Sequence, residues 1–83
     1  MAIEYMGLSR IDGPLAVIDG VKGASYEEMV TVTLDAGSKR IGRIIELSGE
    51  MAVIQVFEGT TGLSLTNTTT KLMGYPMRLS LSK

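Results

Sequence analysis

Short runs of Val, Ile, Leu and Thr alternate along this chain with polar breaks that almost always carry a glycine. Met29–Leu34 shows the pattern most clearly, with Val30, Val32 and Leu34 on one face of an extended segment and Met29, Thr31 and Thr33 on the other. No window of about 11 residues or more keeps a helical period, so no long helix is expected. The pattern predicts strands over Glu4–Arg10, Leu15–Ile18, Met29–Leu34, Lys39–Leu47, Met51–Phe57 and Met77–Leu81. Gly13-Pro14 separates the first two, because a proline opens a strand but is not tolerated inside a sheet. Asp35-Ala36-Gly37-Ser38 and Ser48-Gly49-Glu50 have the composition of tight hairpin connections.

Two of these strands are irregular. Lys39–Leu47 places Ile41, Ile45 and Leu47 on one face with Arg43 and leaves Ile44 opposite, and Gly42 beside Arg43 marks the expected position of a bulge. Met51–Phe57 is apolar on both faces, Ala52, Ile54 and Val56 against Val53 and Phe57. One face fills a core, and the other is expected to be covered by a neighbouring protein domain. Short strands at roughly 8–12-residue spacing suggest a barrel or sandwich. In so short a chain, closing the sheet is the economical way to remove edge strands. The expected fold is all-β, a small closed six-stranded antiparallel β-barrel forming a single domain over residues 1–83, without internal repeats.

Composition narrows the function classes. At 83 residues, with 45% hydrophobic and 20% charged residues, the chain has the make-up of one globular domain, not a disordered segment. Eight Lys and Arg against nine Asp and Glu give a net charge of −1, and only Lys39, Arg40 and Arg43 cluster. Nucleic acid is therefore not an expected partner, since such domains carry a concentrated basic excess. With no cysteine and no histidine, the commonest thiolate, imidazole and general-base chemistries are missing. A sequence with no disulfides and no basic-then-apolar leader is expected to be soluble and cytoplasmic. No apolar run approaches the roughly 20 residues of a spanning helix, so no direct membrane contact is expected.

Candidate chemistry is sparse. Gly37-Ser38-Lys39-Arg40-Ile41-Gly42-Arg43-Ile44 has the glycine spacing of a phosphate loop but lacks its Lys and Ser/Thr, and no helix follows. A hairpin turn leading into a bulged strand accounts for it. Glu27 and Glu28 are sequence neighbours, so on a strand they point to opposite faces and do not converge as paired acids do. They, with Glu46, Glu50 and Glu58, are expected to be solvated charges near strand ends. Gly59-Thr60-Thr61-Gly62 and Thr66-Asn67-Thr68-Thr69-Thr70 offer hydroxyls without a base to activate one, and are expected to form a connection between strands. Tyr5, Tyr26, Phe57 and Tyr75 are not interleaved with basic residues, as a single-strand-binding barrel requires. The six methionines are expected to fill core gaps and not to form a recognition surface. No catalytic, cofactor-binding or metal-ligating residue is expected in this chain.

Several segments, read in order, resemble the N-terminal barrel of the non-catalytic B subunit of V-type and A-type rotary ATPases, also called ATP synthases. They are Gly13-Pro14-Leu15, Gly20-Val21-Lys22-Gly23-Ala24 with Tyr26-Glu27-Glu28, and Ile41-Gly42-Arg43-Ile44-Ile45-Glu46-Leu47-Ser48-Gly49. The most telling is Ala52-Val53-Ile54-Gln55-Val56-Phe57-Glu58-Gly59-Thr60-Thr61-Gly62-Leu63, followed by Asn67-Thr68 and then Gly74-Tyr75-Pro76 with Met77–Leu81. In the catalytic A subunit an acidic residue usually stands in place of Gly59, so Phe57-Glu58-Gly59-Thr60 is similar to B. The resemblance implies a structural and assembly module in which barrels of alternating A and B subunits form a ring that holds the head together. It places ATP or ADP and magnesium beyond this segment, where the family carries a nucleotide-binding domain and then a helical domain, and puts the whole on the cytoplasmic side as a head peripheral to the membrane. The expected partners are A subunits, and an exposed lateral face also allows the isolated barrel to self-associate. The alternative is an independent OB-like barrel that binds nucleic acid or a peptide. Even charge, scattered aromatics and the Glu58–Leu63 motif count against it.

Overall fold

A computed structural model describes residues 3–76 of the chain. The described residues form seven β-strands and no helix: β1 (Ile3–Met6), β2 (Arg10–Asp12), β3 (Leu15–Ile18), β4 (Glu28–Thr33), β5 (Lys39–Ser48), β6 (Met51–Val56) and β7 (Thr69–Pro76). All pair antiparallel in one sheet of order β1-β7-β4-β5-β6-β3-β2, curled into a half-barrel. The all-β antiparallel architecture is as the alternation predicts. The strand count is seven where six were expected.

The structure departs from the expected pattern in three places, the first two of which set the strand count. The expected first strand, Glu4–Arg10, breaks at Gly7-Leu8-Ser9. β1 pairs with β7 and β2 with β3, so the two halves sit at opposite edges of the sheet. The second departure is β7, which forms from part of the Thr-rich stretch expected to be a connection. Its registers Thr31↔Lys71 and Val32↔Thr70 lay it along β4. The last expected strand, Met77–Leu81, lies outside the described residues. Thirdly, the bulge in β5 falls at Ile45, between the pairs Ile44↔Ile54 and Glu46↔Val53, three residues past Gly42. An extra residue there switches the alternation, and this lets Ile44 and Leu47 both pack on the core side.

The core lines the concave face. Ala16, Ile18, Val30, Val32, Ile44, Ala52, Ile54, Val56 and Leu72 are buried there, with Leu8 and Val21 from the connections. Cross-strand rows mix large and small: Leu72, Val30, Gly42 and Val56 in one, Ile44, Ile54 and Ala16 in the next, Leu47, Ala52 and Ile18 beyond. Such mixing lets side chains interdigitate on the shrinking inner surface of a curved sheet. Gly42 is the tightest point. A Cβ there would stand 2.5 Å from the Gln55 carbonyl oxygen and 3.0 Å from Ile54 Cγ2. The glycine therefore serves the close approach of β5 and β6 backbones, not the bulge.

Two threonines on the same concave side differ in how their hydroxyls are placed. Thr68 Oγ1 accepts the Ser64 N–H at 2.8 Å. Thr70 Oγ1 is buried and has no partner among the described residues. Gly42→Ala is expected to destabilise the chain by about 2 kcal/mol in urea unfolding, because backbone atoms must shift to admit the methyl group. Thr70→Val should be neutral or stabilising by up to about 1 kcal/mol, since an orphan hydroxyl is replaced by an isosteric methyl. Thr68→Val should cost about 1–2 kcal/mol, since it strands the Ser64 amide.

Candidate assembly surface

The concave face leaves nothing open: no pocket occurs among the described residues, and no group of three acidic residues stands close enough to hold a metal ion. Both ends of that face are closed, by different chemistry. At one end Arg40, inward-facing on β5, donates from Nη1 to the Gly59 carbonyl at 2.8 Å. This pins the long β6–β7 connection, whose Leu63 packs against the core. Thr60 Oγ1 donates to the Gly13 carbonyl and ties the same connection to the β2–β3 turn. Ser64 Oγ accepts the Thr66 and Asn67 amides and holds its far side in a turn.

At the other end stands Glu28, the first residue of β4 and only 5% exposed. Its Oε1 accepts the Ser25 N–H at 2.9 Å and its Oε2 accepts the Gly74 N–H at 2.7 Å. The second amide is available because β7 bulges here. Glu28 pairs with Pro76 but Val30 with Leu72, so β7 spends two more residues than β4 over this span. Gly74, at φ +87, supplies the left-handed turn of that bulge and frees its N–H from the ladder. Glu27 takes φ +68 and donates its own N–H to the Ile44 carbonyl. The two carboxylates do not converge, as expected, but Glu28 is not the solvated strand-end charge that was expected. A buried carboxylate needs hydrogen-bond donors on both oxygens, and the turn and the bulge supply one each.

Other candidate residues fall in ordinary positions. The glycine-spaced segment Gly37–Ile44 forms the β4–β5 turn and the first half of β5, with no helix after it. Glu46, Glu50 and Glu58 are exposed, and Glu50 lies 3.9 Å from Lys22.

The outward face is more informative. Met51–Val56 buries Ala52, Ile54 and Val56 inward, and Val53, expected to await a neighbour, is already buried within the chain beside Val17. Phe57 is not: it remains 49% exposed, next to Ile41 at 43%. The two are held together by the Phe57 N–H to Ile41 carbonyl bond of 3.0 Å. Sequence reasoning placed Phe57 on this face but missed its pairing with Ile41, because Ile41 was grouped with residues beyond the bulge.

A small curved antiparallel sheet with a filled inner face and apolar side chains set outside places the chain among small all-β barrel-type domains. A model of the ATP synthase alpha/beta family, beta-barrel domain, matches residues 8–71, and the chain belongs to that family. It is 47% identical over its whole length to the V-type ATP synthase beta chain 2 of Clostridium tetani, of which it covers 18%. It is 46% identical over 96% of its length to the B subunit of the A-type ATP synthase of Aeropyrum pernix, covering 17% of that protein. With the corresponding A-type B subunit of Cenarchaeum symbiosum it shares 37% identity over 98% of its length and 18% of that protein. The chain thus spans under a fifth of the length of these relatives. No described helix is long and apolar enough to cross a membrane.

Glu28→Gln is expected to destabilise the chain by about 2 kcal/mol, because the amide presents an NH2 group to one of two backbone donors. Urea unfolding measures the loss, and faster hydrogen exchange at the Gly74 amide locates it.

Proposed function

We propose that this chain is the N-terminal barrel of a B-type subunit of a rotary ATP synthase head, where it acts as an assembly element. Neighbouring A subunits are its partners, held through the outer face of the sheet. The observation that carries this reading is the exposed pair Ile41 and Phe57, fixed side by side on β5 and just past β6. Apolar side chains clustered on a rigid outer face favour burial against a partner. The family match and the B-subunit names of the relatives supply the kind of assembly.

For this role we take the half-barrel to close on itself. Gly7-Leu8-Ser9 joins the two edge strands in three residues, with amides donated to Thr68 and Leu65 near β7 and to Val17 on β3. A sheet closed in this way keeps its shape under load. The barrel itself carries no chemistry. ATP, ADP and magnesium are handled elsewhere in the head, which stands at the cytoplasmic side of the membrane without this segment touching lipid.

Phe57→Asp in the full-length B-type subunit should weaken association with the A subunit at least about tenfold, or about 1.4 kcal/mol, in a titration followed by light scattering. Unchanged affinity rejects this face as the contact. Unchanged head formation after deletion of residues 1–76 rejects the assembly role.

A further inference from the structure

The outer face carries a charge that no other described residue answers. Arg43 alternates with the core residue Ile44 and so points outward, as Ile41 does two residues earlier. Register sets it between Met29 on β4 and Gln55 on β6, and Phe57 stands two residues past Gln55, bonded through its N–H to the Ile41 carbonyl. Ile41 with Phe57 and Arg43 with Gln55 are therefore adjacent cross-strand pairs on one patch. Arg43 is half-buried, and its Nε is buried with no hydrogen-bond partner among the described residues. The ion pair found among those residues is Lys22 with Glu50, so no carboxylate there meets Arg43. Arg40, three residues before it, differs in being bonded to the Gly59 carbonyl. A guanidinium partly stripped of water and left unpaired is a cost that the barrel alone does not offset.

We infer that the A-subunit surface covering Ile41 and Phe57 presents a carboxylate side chain to Arg43. The inference rests on the proposed function and deepens it, by naming the partner group that this face selects. Pairing at an ordinary surface arginine gains little, because the charge gives up its water on binding and its long side chain must be ordered. Arg43 has already lost part of its water and is flanked on both sides by the side chains of its strand neighbours. A carboxylate therefore meets a guanidinium whose desolvation is largely complete before contact. Arginine beside an aromatic and an aliphatic residue is also the mixture enriched at the centre of protein interfaces. A nucleic-acid phosphate suits the guanidinium too, but the apolar neighbours and the net charge of −1 favour a protein carboxylate.

The test titrates the full-length B-type subunit carrying this barrel with the A subunit, at about 0.05 M and about 0.5 M salt. Arg43→Gln should weaken association at least about tenfold at the lower salt and at most about threefold at the higher, where the pair is already screened. Lys22→Gln removes the same charge at an exposed site in the β3–β4 connection, and should stay within about twofold of the parent. Arg43→Lys keeps the charge without the planar fork, and should fall between Arg43→Gln and the parent at the lower salt. No loss with Arg43→Gln overturns the inference. An equal loss with Lys22→Gln overturns it as an effect of net charge, and a loss that salt does not diminish overturns it as packing of the arginine stem. Affinity as low with Arg43→Lys as with Arg43→Gln overturns it too. Binding of a single-stranded oligonucleotide by the B-type subunit alone, abolished by Arg43→Gln, assigns the arginine to phosphate and has the same consequence. The assembly reading is judged separately by Phe57→Asp: weakened association there, with Arg43→Gln at parent affinity, leaves that reading standing and removes only the carboxylate.

Discussion

The strands at the two edges of the sheet are consecutive in sequence, and only three residues join them. Gly7 donates its N–H to the Thr68 carbonyl at 2.7 Å, and Ser9 donates to the Val17 carbonyl at 2.6 Å. One bend is thus bonded to both ends of a seven-stranded order, and a flat sheet cannot satisfy both bonds. Curvature follows, and with it the size pattern of the inner face. Gly42, Ala16 and Ala52 sit among Ile and Val because the inner surface has less room than the outer. At Gly42 the room has run out, and a single methyl group would meet backbone. The bulge at Ile45 belongs to the same constraint, since it lets a strand of ten residues bend while Ile44 and Leu47 still reach the core.

A curved sheet filled in this way leaves two open ends to be sealed, and polar groups seal both. Arg40 uses a carbonyl of the β6–β7 connection, and Glu28 uses amides of a turn and a bulge. In each case a charged side chain bonds to backbone groups that lie outside any ladder, which ties irregular segments to the sheet. Arg40 is half-buried, whereas Glu28 is buried and has each oxygen satisfied by a backbone amide in place of water. The interior among the described residues is filled, and the apolar side chains left exposed stand on the outer face and at the ends.

How much of this was legible in the sequence depends on where the period of two survives. β3 to β6 are found within one residue, β4 by the clean alternation of Val30 and Val32 with its polar positions and the others as short apolar runs bounded by turn residues. β7 is missed because two of its inward positions, or those just before it, are Thr68 and Thr70, and hydroxyls facing a core erase the apolar alternation. The break at Gly7 is hidden inside a run whose composition suits one strand. Gly42 carried two meanings, a bulge or a close approach, and only the pairing of β5 with β6 separates them. Phe57 was visible as a surplus apolar residue. Glu28 was not, for its partner Gly74 lies 46 residues away and donates a backbone amide that no side-chain pattern announces. The alternation itself held the one usable hint: Glu28 shares a face with Val30 and Val32.

The outer face and the tyrosine-bearing end share no residues, and the fold explains why they can be independent. Ile41 and Phe57 stand on the outer side near the Arg40 end, whereas Tyr26 and Tyr75 stand at the Glu28 end. β4 runs between the two places, with Thr31 opposite Ile41 and Glu28 opposite Pro76. β4 is bonded on both sides, to β5 and to β7, so two ladders hold it along its length. The buried valines of β4, Val30 and Val32, lie between those two ladders and tie the two ends of the sheet through one continuous core.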